Sequence, residues 1–153
     1  MSSQARRHAV VPAAKNGVNQ YLRAQVMTAS PERIQLMLFD GALRFGEQAR
    51  HGLRNHDYDL SHDKLKRVQR IVQELIHGLR PEHDPVTCKQ LEALYNFAYL
   101  KLVEANIHHS EEALDEALNV LRYQRETWAM LLERLEADEA KQVKQDPRVS
   151  MCA

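Results

Sequence analysis

Residues 59–79, DLSHDKLKRVQRIVQELIHGL, decide the fold class of this chain. Apolar side chains recur here at steps of three and four residues, so they share one face of an α-helix. They are Leu65, Val68, Val72, Leu75, Ile76 and Leu79. Charged and polar residues fill the other faces. The stretch therefore predicts an amphipathic helix whose apolar stripe needs other helices to cover it.

Prolines mark the starts of two further helices. Pro31 follows Ser30 and Pro85 follows Asp84, which is the order of an N-cap and a first helical residue. These pairs predict helices from Pro31 to about residue 53 and from Pro85 to about residue 108. Ser110 is the expected cap of a last helix that reaches about residue 140.

Short connections make successive helices antiparallel, and the sequence lacks the alternation typical of strands. We predict an all-α protein, an antiparallel up-down four-helix bundle with a short N-terminal segment packed on it. The expected domains are a flexible N-terminal tail at 1–16, a helical-bundle domain at 17–141 and a flexible C-terminal tail at 142–153.

Composition favours a soluble cytoplasmic protein of one domain. The 153 residues include 21 basic and 21 acidic side chains, so the zero net charge gives no support to nucleic-acid binding. The two cysteines, Cys88 and Cys152, suggest no disulfide framework and fit a reducing compartment. No apolar run is long enough for a secretion signal or a transmembrane helix, so membrane insertion is not expected.

The third predicted helix carries more apolar surface than one core face requires. Its expected core stripe is Leu91, Leu94, Tyr95, Ala98, Leu102 and Ala105. Phe97, Leu100, Val103 and Ile107 lie outside that stripe, mostly on the far side, and Tyr99 lies between the two sets. Either the helix is central or has scattered exposed apolar residues, or its outer face is a groove for a partner helix. Periodicity alone leaves both interpretations open.

Several short strings resemble one protein family in their order and spacing. Tyr21 stands five residues before Val26, and TASP at 28–31 precedes MLFDGAL at 37–43. Further along are IVQEL at 71–75, LYNF at 94–97, LVEAN at 102–106 and RETW at 125–128. Over about residues 19–135 the set resembles the flagellin-specific export chaperones. The departures are the link at 80–85, Leu100-Lys101 in place of paired arginines, and the longer last helix.

The resemblance implies a cytoplasmic export chaperone with residues 17–141 as its chaperone domain. Such a protein binds the disordered C-terminal segment of flagellin, prevents its premature polymerisation and delivers it to the flagellar type III export apparatus. The alternative is a helical-bundle adaptor for a different secreted client. We expect the free chain to be a monomer or a weak dimer.

The surplus apolar face of the third helix and the resemblance together indicate a set of partner-binding residues. Tyr21, Val26 and Met27 belong to an N-terminal segment expected to dock on the bundle and compete with the cargo. On the third helix the expected contacts are Tyr95, Phe97, Tyr99, Leu100, Val103, Asn106 and Ile107. Gly41 is expected to permit close helix packing. Arg125 lies within an apolar arc, so it should either extend to solvent beside Trp128 or pair with a carboxylate on a neighbouring helix.

No enzymatic activity or cofactor is expected. The loops should gather His51, His56, His62, His108 and His109 at one end, but polar-loop histidines are more often solvated than metal-bound. A di-iron site needs two Glu-x-x-His pairs, and only Glu74–His77 has that spacing. A phosphotransfer histidine at His62 would lack its usual small neighbours.

Overall fold

The computed structural model describes the backbone of residues 13–150 and the side chains of residues 17–148. Every regular element in this part of the chain is a helix. The helices are α1 (Ala13–Thr28), α2 (Pro31–Arg54), α3 (Tyr58–His77), α4 (Pro85–His108), α5 (Glu111–Gln145) and α6 (Pro147–Ser150). None of the described helices is long and apolar enough to cross a bilayer.

The predicted caps start the helices. Ser30 Oγ accepts a hydrogen bond from the Arg33 N–H at 3.2 Å, and Ser110 Oγ accepts one from the Ala113 N–H at 3.1 Å. Asp84 caps α4 through the N–H and hydroxyl of Thr87, and these bonds hold the pKa of its carboxyl below the ordinary value. Each cap satisfies a donor that a helix N-terminus otherwise leaves free.

Helices α2 to α5 form a closed ring in which α2 packs on α3, α3 on α4, α4 on α5, and α5 back on α2. Contacts along the α2–α5 seam show that these helices are antiparallel. Near the start of α2, Arg33 pairs with Glu136, whereas near its end Arg54 pairs with Glu111. The prediction of an up-down four-helix bundle is confirmed.

The core is built mainly of leucine, valine and alanine from all four ring helices. Its largest fully buried side chains are Phe39, Leu65, Leu75, Leu102, Leu114, Leu118 and Leu121. The Phe39 and Tyr95 rings meet across the centre with centroids 6.4 Å apart. Small residues such as Ala42, Ala98 and Ala117 alternate with these large ones, which lets facing helices interdigitate.

The helix bounds depart from prediction mainly at the two ends of the chain. Helix α5 continues to Gln145, so regular structure extends into the predicted tail at 142–153. At roughly 52 Å it is longer than α2, at roughly 36 Å, and it projects past the start of α2. Helix α1 begins at Ala13, inside the predicted tail at 1–16.

The structure corrects the expectation that the N-terminal segment packs on the bundle. Residues 17–28 are all exposed, and Tyr21 and Met27 retain 64% and 84% of their accessible surface. The side-chain hydrogen bonds seen in α1, such as Gln25 to the Tyr21 hydroxyl, stay within the helix. The apolar residues of this segment led to the expectation of docking, but their presence does not specify which surface covers them.

Glycines allow close helix approach, but not at the predicted position. A Cβ on Gly41 would lie 3.6 Å from Ile71 Cδ1, an ordinary van der Waals contact. By contrast, a Cβ on Gly52 would lie 2.8 Å from backbone atoms of both Asp57 and Ser61. A Cβ on Gly46 would also clash with the Leu118 side chain of α5. The close approaches that require glycine are therefore between α2 and α5 at Gly46 and at the α2–α3 turn at Gly52, where backbone atoms fill the space.

Candidate partner-binding surface

Helix α4 exposes an apolar face on the outside of the bundle. Its buried side is Tyr95, Ala98, Leu102 and Ala105. On the outer side Phe97, Leu100 and Ile107 are 43%, 66% and 67% exposed. These three large apolar side chains lie on one side of α4 within three helical turns. We call Phe97, Leu100 and Ile107 the outer face of α4.

The flank of the outer face toward α3 is half-buried. Val103 and Tyr99 lie between the outer face and the core, and the Tyr99 hydroxyl accepts a long hydrogen bond of 3.5 Å from Gln73. Asn106 lies one turn further along, where its amide is within hydrogen-bonding distance of His62 Nδ1. The contact joins α3 to α4.

The opposite flank opens into a groove of about 320 Å³ between α4 and α5. Leu94, Val120 and Tyr123 supply its apolar walls, and Asn119 and Gln124 supply polar groups. Leu94 was predicted in the core stripe, but it is 39% exposed. It lies at the edge of the stripe, where burial depends on how closely α5 approaches.

Charge on this surface is largely neutralised. Lys101 Nζ lies 3.0 Å from carboxylate oxygens of both Glu104 and Glu116, and 5.9 Å from the centre of the Phe97 ring. The hydrogen bond to Glu116, and then that to Glu104, raises the pKa of Lys101. A partner of this face would therefore meet apolar side chains bordered by compensated charge.

Tyr95 lies in the core rather than on the surface. Only 3% of it is accessible, and burial raises the pKa of its phenol to about 12. A partner on the outer face could not touch this ring without opening the bundle. Its predicted role as a direct contact is corrected to support of α4 from inside, through the Phe39 ring.

The remaining predicted contacts lie on α1. Tyr21, Val26 and Met27 are exposed there, together with Val18 and Leu22. These residues lie together on α1. They do not form one surface with the outer face of α4, because they are exposed to solvent. The structure therefore brings together the predicted residues of α4 and leaves those of α1 apart.

The loop histidines do gather at one end of the bundle. His109 stacks on the Tyr58 ring with centroids 3.7 Å apart, and His56 meets the same ring edge-on at 5.9 Å. Both histidines have left-handed backbone angles, with φ of 55° at His56 and 50° at His109. Within the described residues, no three His, Cys, Asp or Glu side chains are grouped to hold a metal ion.

Comparison with known proteins identifies the family of the chain. The family model described as flagellar protein FliS matches residues 14–135. The chain belongs to the FliS family. The predicted family is thereby confirmed, and its association with chaperones and flagellar biogenesis is supported by the relatives described next.

Relatives of the FliS family match most of the chain. The flagellar secretion chaperone FliS of Bacillus subtilis is 29% identical over 121 residues, covering 79% of this chain and 90% of that protein. The protein of the same name in Campylobacter jejuni is 32% identical over 110 residues, covering 72% and 86%. A solved bacterial flagellar chaperone superposes with a TM-score of 0.64 at 16% identity, covering 79% and 98%, which shows a shared fold.

Proposed function

We propose that this FliS-family chain is a cytoplasmic export chaperone for flagellin. It binds the disordered C-terminal segment of flagellin, prevents premature polymerisation and delivers the subunit to the flagellar type III export apparatus. The observation that carries the proposal is the outer face of α4. Phe97, Leu100 and Ile107 lie exposed on a helix whose other side is already committed to the core.

Coupled folding and binding gives the physical basis. A disordered segment that forms an amphipathic helix on α4 buries apolar area but loses conformational entropy, at a cost of roughly 2–5 kcal/mol. That cost leaves a complex that is specific and can still be released. The groove beside α4, bounded by Leu94 and Tyr123, would accept side chains of the bound segment, and the half-buried Tyr99 and Val103 would offer apolar contacts on the other flank.

Exposed apolar residues on α1 extend the proposed site. Tyr21, Val26 and Met27 are not occupied by bundle contacts, so they are available to the same cargo. Asn106 is proposed to keep the α3–α4 flank in place through His62. The chemistry required is binding alone, and the proposed role needs neither catalysis nor a cofactor.

Titration calorimetry with the full chain tests the proposal. Peptides from the C-terminal and N-terminal segments of flagellin from the same organism serve as ligand and control. We expect saturable binding of the C-terminal peptide with a negative heat-capacity change, the mark of apolar burial. Binding of neither peptide would favour the alternative, an adaptor for a different secreted client.

A further inference from the structure

A second surface lies on the opposite side of the bundle, along the seam of α2 and α3. Because the ring order is α2, α3, α4, α5, this seam faces away from the seam of α4 and α5. The half-buried Phe45 ring is its centre. Arg44, Lys64 and Arg67 place cationic groups 5.3, 5.5 and 5.5 Å from the ring centroid. We call Phe45 and these three cations the basic cluster.

Carboxylates of the chain only partly neutralise the basic cluster. Asp63 lies 3.2 Å from Arg67 and 3.6 Å from Lys64. In the described part of the chain Arg44 has no carboxylate within ion-pairing distance. Three cations therefore share one anion, although the whole chain has zero net charge. The Phe45 ring attracts each cation but cannot cancel the charge.

An apolar groove of about 410 Å³ adjoins the basic cluster. Leu60 from α3 and the side-chain stems of Arg44, Gln48 and Lys64 line it, along with His51 and Glu47. Glu47 already pairs with Arg50 at 3.0 Å, so it offers little compensation to the groove. The result is an apolar depression between two antiparallel helices with excess positive charge at its rim.

We propose that the α2–α3 seam docks an acidic amphipathic helix of a partner protein, independently of the cargo on α4. The groove between two helices accepts one row of aliphatic side chains from a third helix. Glutamates or aspartates flanking that row would pair with Arg44 and Arg67, which are exposed. Charge complementarity of this kind sets orientation and speeds association. The seam goes beyond the proposed function, since flagellin binding on α4 does not require it.

A matched set of synthetic peptides probes the surface on the full-length chain. Each has about 18 residues and a leucine stripe at helical spacing, flanked by glutamate, glutamine or lysine. Fluorescence anisotropy should show the glutamate peptide binding about ten-fold tighter than the glutamine peptide, and the lysine peptide weakest. The preference should shrink between about 50 and about 300 mM salt.

Two variants locate the binding. Arg44→Glu combined with Arg67→Glu should remove the preference for the glutamate peptide. The control, Arg134→Glu combined with Lys141→Glu, makes the same change in charge on α5. It should retain the preference for the glutamate peptide. Gln48→Glu, an exposed substitution within the groove, should weaken binding without disturbing packing.

Three outcomes would overturn the proposal. The first is equal affinity for the glutamate and glutamine peptides. The second is unchanged binding in the Arg44→Glu, Arg67→Glu variant when circular dichroism shows it folded. The third is binding of phosphatidylglycerol vesicles that the same variant abolishes, with no binding of the glutamate peptide, since a membrane would then be the occupant.

Discussion

Arg125 of α5 donates a hydrogen bond from Nε to the Asp40 carboxylate of α2 at 2.9 Å. Sequence pattern placed Arg125 within an apolar arc and left two solutions open, extension to solvent or a carboxylate on a neighbouring helix. In the structure Arg125 pairs with a carboxylate on a neighbouring helix. The bond to Asp40 raises the pKa of Arg125, with a smaller contribution from Glu126. The apolar arc therefore includes a charge because α2 supplies its partner.

Asp40→Asn should destabilise the bundle only slightly. Both side chains are partly exposed, and ion pairs in that setting contribute about 0–1 kcal/mol. Urea denaturation compares the variant with Asp138→Asn, which removes an exposed carboxylate with no ion pair in the described structure. We expect a small loss in the free energy of unfolding for Asp40→Asn and none for Asp138→Asn. A loss above about 3 kcal/mol would mean that Arg125 becomes an uncompensated buried charge.

Gly52→Ala should destabilise the protein by about 1–3 kcal/mol, the usual cost of overpacking. The new Cβ would meet backbone atoms of Asp57 and Ser61 at 2.8 Å, and backbone cannot move aside as a side chain can. Gly41→Ala is the matched control in the same helix. Its Cβ has ordinary contact only, so the gain in helix propensity should raise stability by up to about 1 kcal/mol. Equal urea midpoints for the two variants would contradict the packing at the turn.

The helices were predictable from sequence because their determinants are local. Caps at Ser30, Asp84 and Ser110 and stripes at three- and four-residue steps fix where a helix begins and which side is apolar. The close backbone approach at Gly52 was not predictable, since it depends on how the loop at Asp57 folds back onto this residue. Gly41 and Gly52 look alike in sequence, and only the facing backbone separates them.

Glu111→Gln should make the free energy of unfolding less sensitive to acid. The hydrogen bond from Arg54, and a further one from Arg50, hold the pKa of Glu111 below its ordinary value of 4.5. A depressed carboxyl pKa contributes stability above the unfolded pKa and loses it as pH falls through the lower folded pKa. The variant lacks this contribution at pH 7, so its unfolding free energy should fall less below about pH 4.5.

Glu112→Gln is the control for that pH experiment. It alters the neighbouring carboxyl in the same helical turn, and the described structure gives Glu112 no ion pair. Urea unfolding across the acidic range should follow the parent chain for Glu112→Gln and be flatter for Glu111→Gln. A parallel loss in all three proteins would show that the arginine contacts of Glu111 do not stabilise the fold.

Leu100→Asp should weaken binding of the flagellin C-terminal peptide by roughly ten-fold or more while leaving the bundle folded. Burial of a leucine is worth roughly 1.5–3 kcal/mol, and each 1.4 kcal/mol is a factor of ten. Because Leu100 is 66% exposed, its loss removes little core packing. Gln142→Asp adds the same charge at an exposed position of α5, away from the outer face of α4, and should keep affinity. Unfolding by Leu100→Asp would place the outer face in the core instead.

The outward-facing residues of the candidate site could be predicted from the sequence, whereas the burial of its edge residues could not. The angle between Leu100 and the core stripe already predicted an outward position. Edge residues such as Leu94 and Val103 lie where burial depends on the distance to the neighbouring helix, which periodicity does not contain. Tyr95 was assigned both to the core and to the partner, and its 3% exposure decides for the core.

Deleting residues 1–27 distinguishes two roles for α1. If the segment competed with the cargo for the bundle, its removal would tighten binding in proportion to the blocked fraction. In the structure the α4 face is open and Tyr21, Val26 and Met27 are free to contact a partner. We therefore expect truncation to weaken binding of the flagellin C-terminal peptide by roughly ten-fold, the value of one well-buried apolar side chain.

Calorimetry of the truncated chain gives the affinity, and sedimentation of both chains without peptide gives a second readout. Because α1 exposes its apolar stripe to solvent, its removal should also reduce any self-association of the free chain. Tyr21→Ser tests the contact within the intact helix, and Asn19→Ser, an exposed polar position of α1, is its control. Tighter binding after truncation, together with increased self-association, would show that α1 covers the α4 face in solution and competes with the cargo.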